Sequence, residues 1–231
     1  IKSNIIVEGT KHVLEFARKN SCKNFLYLSS GAVYGMSYHK KLKVDEKSLS
    51  APLTVDKNFD LNSLGNSKRV SEMLVSIYSE KKYFKTSIAR CFSFIGPLIP
   101  LDIHYAIGNF LKKAIFKKSI KINSDGSALR SYLYMSDLTT WLIKILFKGK
   151  NNEIYNIGSE NMISIKNLAI LVNKITKNNK KIKTTKKQNK TVYVPSNYKI
   201  KKYLKVKQRV KLKDAILKTY NNINCNRKIY F

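Results

Sequence analysis

Acidic residues are scarce in this chain: its 231 residues carry 14 Asp and Glu against 45 Lys and Arg, a formal net charge of +31. Such an excess concentrates polyanions near the surface. Lys, Ile and Asn are over-used together along the whole length, as drift in an AT-rich coding sequence produces. No basic module with interleaved arginine and exposed aromatics is present, so specific nucleic-acid binding is not expected. Cysteine is nearly as rare. Cys22, Cys91 and Cys225 are widely spaced, with no CxxC and no nearby His pair. That pattern excludes a disulfide framework and a zinc site, and it fits a reducing, cytoplasmic setting. Long apolar runs are missing too. The longest candidate, WLIKILF at 141–147, contains Lys144 and falls short of the ~18 residues a membrane span needs, so no membrane insertion is expected. There is neither a signal peptide nor an initiating methionine, and the chain opens IKSNIIVEGT already in helical rhythm. We expect a fragment whose start lies upstream.

Hydrophobic residues make up 43% of the chain, enough for a globular core. Val7, Val13, Leu14, Phe16 and Ala17 recur at helical spacing up to about Asn20. NFLYLSS (24–30) is a compact apolar run of the kind a buried parallel strand makes. A second helix is expected from Lys68 to about Tyr83, opening after a Gly-Asn-Ser turn, with Val70, Met73, Leu74 and Ile77 on one side. TSIARCF (86–92) reads as another buried strand, closed by the breaker IGP. Helix, strand, helix, strand argues for a doubly wound α/β sheet. Beyond residue 97 the spacing predicts a helix over about 104–117, a strand at 119–122, YLYM (132–135), and a helix from Ser136 to about Phe147. EIYNIGS (153–159) reads as strand and turn. SIKNLAILVNKI (164–175) reads as a helix capped by Ser164. Lysine-rich 176–191 is expected as an exposed loop or edge, followed by a short strand VYVP (192–195) and two small helices.

Two serines at the end of a buried strand, Ser29 and Ser30, matter because open α/β sheets bind ligands outside such strand ends. Lys68 follows 38 positions later. SSGAVYG (29–35), GNSK (65–68), RCFSFIGP (90–97), SDGSALRSYLYMSDL (124–138) and YNIGS (155–159) come in that order. Together they resemble the successive motifs of the extended short-chain dehydrogenase/reductase family, the NAD-dependent epimerases and dehydratases of nucleotide sugars. The resemblance covers nearly the whole chain. It implies a Rossmann-like doubly wound parallel sheet, its N-terminal part missing, with a small α+β C-terminal substrate lobe. Residues 1–97 would be the C-terminal part of the NAD-binding domain. Residues 98–231 would be mainly the lobe, with about 130–160 returning to the sheet. A homodimer of the full-length protein is also implied, paired through helices at roughly 7–20 and 68–83.

The same resemblance assigns roles. Ser30 would hydrogen-bond the reacting sugar hydroxyl, and Lys68 would bind the nicotinamide ribose and lower the pKa of a tyrosine four residues before it. Ser29, Lys68 and Phe92 would meet the NAD or NADP cofactor. Ser30, Ser93, His104, Tyr105 and Arg130 would meet the nucleotide-sugar substrate, with Arg130 clasping the diphosphate. Asp137 would cap or orient a helix. The departures are as informative. Leu64 stands at the position of the tyrosine base, and Gly31 and Ala32 stand where the 4,6-dehydratases have acids. Ser93 replaces the usual Asn, and Ile6 replaces another. No GxxGxxG occurs among the 231 residues, so NAD binding is expected only with an upstream segment that supplies it. The expected activity is epimerisation or reduction through hydride transfer at a sugar carbon. The alternative is an inactive relative that binds a sugar nucleotide or a protein partner; for turnover, Tyr34 or a substrate-bound water would have to replace the base.

Overall fold

The computed structural model describes residues 2–35, 43–54, 59–102 and 105–230. In chain order it begins with helix α1 (Lys2–Lys19) and strand β1 (Asn24–Ser30), then a 3-10 turn over Gly31–Tyr34. Helix α2 (Phe59–Glu80), strands β2 (Lys85–Cys91) and β3 (Phe94–Ile95), and helix α3 (Ala106–Ile115) follow. Next come β4 (Ile120–Lys121), β5 (Leu129–Arg130), β6 (Leu133–Tyr134), α4 (Met135–Lys148), β7 (Glu153–Ile157) and β8 (Ile163–Ser164). The chain continues through α5 (Ile165–Thr176), β9 (Ile182–Lys183), β10 (Val192–Tyr193), α6 (Tyr198–Leu204), α7 (Leu212–Cys225) and α8 (Arg227–Tyr230). No described helix is long and apolar enough to cross a membrane.

The chain divides into two compact units, the first made of Ile1–Phe92, Thr139–Gly158 and Pro195–Lys207. Its centre is a parallel sheet in the order β1-β2-β7. Ser30 lies opposite Cys91 on β2, and Cys91 lies opposite Ile157 on β7. Beside the sheet, Leu14 and Ala17 of α1 and Val75 of α2 pack with Tyr27, Phe84 and Ile88. Burying a Leu or Val side chain of this kind is worth roughly 1.5–3 kcal/mol.

Two readings of α2 need correction. The GNSK segment is not a turn before a helix, because the helix has already run for six residues when it reaches Gly65. A Cβ at Gly65 would stand 2.4 Å from the Ala32 carbonyl oxygen and 2.6 Å from Pro52 Cγ. The glycine is there for close approach of helix to backbone, despite its cost inside a helix. The apolar stripe is also divided, Leu74 packing against the core and its other members facing outward. Val70, Met73 and Ile77 are exposed, whereas Ser71, Glu72, Val75 and Ser79 are buried. On α1 the same split occurs: Leu14 and Ala17 face inward, and Val13 and Phe16 outward. The polar residues of α2 can sit inside because they find partners there.

The second unit comprises Ser93–Leu138, Ser159–Val194 and Gln208–Phe231. Helices α3, α5 and α7 supply its core, with Ile107, Phe110, Leu111 and Ala114 at helical spacing against Leu168, Val172, Ile216 and Ile223. Ser164 caps α5 by accepting from Asn167 N at 3.1 Å, as its sequence suggested. Strand β5 pairs with β10 and β8, and β4 with β9; β9 lies in the largely exposed lysine-rich stretch. Asp137 is buried, and its Oδ2 accepts from the main-chain N–H groups of Arg209 and Val210, both at 3.0 Å. Its carboxylate thus holds a distant segment of chain in addition to lying in the first turn of α4.

Candidate active site

The first unit brings together Ser29, Ser30, Leu64, Lys68 and Phe92. Strand alternation sends the two serines to opposite faces. Ser30 Oγ accepts from Ala32 N at 3.1 Å, capping the 3-10 turn. Ser29 is buried, and its hydroxyl donates to Glu72 Oε1 at 2.5 Å. Lys68 reaches from α2 back to β1, where its Nζ donates to Leu28 O at 2.8 Å and lies 4.8 Å from the centre of the Tyr27 ring. Leu64 sits one helical turn before it on the same face. Phe92 is buried and stacks on Tyr34 at 6.1 Å. Cys91, the register partner of Ser30, is pushed up to about 11 by burial, with the Lys68 charge opposing that shift.

Beneath these residues runs a buried polar chain that composition and motif spacing did not disclose. Arg90 donates from Nε and Nη2 to the two carboxylate oxygens of Glu72, at 2.9 and 2.6 Å. Burial works against the Arg90 charge, but the bond and charge of Glu72 outweigh it and hold the guanidinium above its ordinary range. Arg90 also lies 4.8 Å from the centre of the Tyr34 ring. Tyr34 in turn donates to Asn156 Oδ1 at 2.8 Å, and Asn156 Nδ2 donates to Val44 O. The available signal was Glu72 itself, an acid one turn beyond Lys68 in a chain with few acids.

Tyr34 is thereby held as a neutral phenol, which works against the role of a substitute base. Burial pushes its pKa up to about 12 from 10.0, with the Arg90 charge opposing. Because the folded value is raised, the stability linked to Tyr34 is complete below pH 10 and is lost as pH rises through about 12. Unfolding midpoints followed from about pH 9 to 12 should fall less steeply in Tyr34→Phe than in the parent; an identical slope would show that Tyr34 ionises freely.

The remaining residues belong to the second unit. Ser93 presents its carbonyl to Leu133 N at 3.1 Å. Tyr105 is at the N-cap of α3, about half exposed, without a side-chain cap bond. Arg130 donates to Leu129 O, Thr191 O and Thr191 Oγ1 at 2.8–3.0 Å, and burial lowers its pKa. His104 lies outside the described residues.

The model of the NAD dependent epimerase/dehydratase family matches residues 2–158, which is more than half of the chain and includes every candidate site residue above. The chain belongs to that family. It is 30% identical over 164 residues to human dTDP-D-glucose 4,6-dehydratase, covering 71% of this chain and 43% of that protein. It is 27% identical over 183 residues to UDP-glucuronic acid decarboxylase 4 of Arabidopsis thaliana, covering 79% and 39%. The chain therefore spans about two fifths of the length of these two relatives. Among solved structures, a UDP-glucose 4-epimerase of Thermotoga maritima with UDP-glucose superposes with TM-score 0.87 at 21% identity, covering 97% of this chain and 71% of that one. A UDP-glucuronic acid 4-epimerase of Bacillus cereus in complex with NAD gives 0.80 at 25%, covering 95% and 67%. These likenesses establish the epimerase/dehydratase fold, the Rossmann-like α/β class expected from the motifs.

Proposed function

We propose that the chain carries the hydride-transfer centre of an NAD(P)-dependent nucleotide-sugar epimerase or reductase. The observation that carries this reading is Lys68, whose ammonium lies against the C-terminal end of β1 with Leu28 O as acceptor. An ammonium has three donors, so others remain for the hydroxyls of a ribose. The first unit would face the cofactor through Lys68, Ser29 and Phe92. The second would hold the sugar nucleotide through Ser93, His104, Tyr105 and Arg130. Bound NAD would supply the hydride acceptor. The fit extends to the ribose only, because no glycine-rich pyrophosphate loop occurs among these residues. Ser30 would orient the sugar hydroxyl, leaving its proton to a group other than Leu64 or Tyr34. Gly31 and Ala32 offer no acid for eliminating water, which argues against dehydration.

The substrate half can be tested on this chain by calorimetry with UDP-glucose, UDP-glucuronic acid and dTDP-glucose. Binding of at least one is expected, weakened about tenfold or more in Arg130→Ala by loss of charge-assisted hydrogen bonds. Affinity unaffected by that substitution would remove Arg130 from the site. A second reading is binding without turnover, favoured by Leu64 and by the locked Tyr34. Turnover of the same sugar nucleotides separates the two.

We also propose pairing of two copies through α1 and α2, supported by exposed Ile5, Val13 and Phe16 on one helix and Val70, Met73 and Ile77 on the other. Sedimentation should show a dimer that Phe16→Glu with Met73→Glu dissociates. A monomeric parent at micromolar concentration would refute it.

A further inference from the structure

We infer that the buried Glu72–Arg90 pair is a positioning device for Lys68, an inference that rests on the reading of Lys68 as the ribose-binding cation. Glu72 follows Lys68 by one helical turn, so the two side chains leave the same face of α2. Each meets β1, and at consecutive residues: Lys68 at Leu28 O and Glu72 at Ser29 Oγ. The carboxylate simultaneously takes both arms of the Arg90 fork from β2. A bidentate ion pair fixes direction as well as distance, so α2 is held in rotation and in height above two adjacent strands. Arg90 extends the tie, through Tyr34 and Asn156, to β7.

Lysine needs such support because its ammonium rides on a flexible four-carbon stem. Its seat, the Leu28 carbonyl and the Tyr27 face, is usable only while the root of the stem stays in place. Both partners of the ion pair are about 8% exposed. Well-packed apolar residues often replace a buried pair without loss of stability, so fold stability alone does not account for this one. Its geometry does: Glu72 and Arg90 are positioning residues acting through α2 on Lys68, and they need not touch cofactor or substrate.

The test is the rate at which an amine-specific reagent labels Lys68 in the 231-residue chain, read by peptide mass spectrometry against exposed Lys213 on α7. Glu72→Met with Arg90→Met keeps the volume apolar and removes the pair. Lys68 labelling is expected to rise about fivefold, the factor that corresponds to losing one hydrogen bond of ordinary net strength. Lys213 labelling should stay near its parental value, and the unfolding midpoint should fall by no more than the lost Ser29 bond accounts for. Glu72→Gln keeps acceptors without charge, and it should give a smaller rise. It also decides the matter if the double variant does not fold. Parental Lys68 labelling in a folded variant overturns the proposal. Protection of Lys68 by added NAD is scored separately, in the protein as its own gene encodes it: its absence at saturating cofactor there counts against the ribose reading, while the labelling contrast in the 231-residue chain still decides the positioning.

Discussion

Glu72→Ala is expected to lower the free energy of unfolding by about 3–5 kcal/mol, the usual cost of removing one partner of a buried ion pair. The alanine leaves the Arg90 guanidinium buried against Tyr34 without its counter-charge. It also takes the acceptor from the buried Ser29 hydroxyl. Domains of this size are stable by only about 5–15 kcal/mol, so the loss is a large share of the whole. Urea titration followed by circular dichroism measures it, with the slope unchanged if the unfolded state is not altered. Lys112→Ala provides the contrast. Its partner Asp102 lies at the surface, and exposed pairs contribute about 0–1 kcal/mol. Equal costs at the two sites would mean that water reaches Glu72 and Arg90.

Leu64→Tyr is expected to raise sugar-nucleotide turnover by roughly 10²–10⁴, the contribution of a positioned general base. The helix already places residue 64 one turn before Lys68, and Leu64 is only half buried, so a phenol there would keep access to solvent. A nearby ammonium favours the phenolate. Tyr34 has the opposite environment, buried and donating to Asn156, with its pKa pushed up to about 12. The assay is NADH formation or epimer exchange in the protein as its own gene encodes it. Turnover no higher than the parent's would mean that residue 64 is not where the proton is lost, and a parent already fast would exclude the binding-only reading.

The short apolar run 86–92 announced β2 because a strand covered on both faces needs an unbroken apolar stretch, and 24–30 announced β1 although only Tyr27 and Ser29 of it are buried. Ser164 announced the start of α5 because a cap is a local bond between neighbours. The order of the motifs carried the family, and the reading of Leu64 as the tyrosine position came only with that resemblance. The start of α2 was not. Gly-Asn-Ser has the composition of a turn, and only the Ala32 carbonyl packed against Gly65 shows why glycine belongs inside that helix. Helical periodicity likewise disclosed the stripe of Val70, Met73 and Ile77 but not its direction. The buried side of α2 was decided by Glu72 meeting Ser29 and Arg90, residues 43 and 18 positions away. A charge goes inside only where a distant partner offsets its desolvation, and local sequence holds no record of which distant partner will arrive.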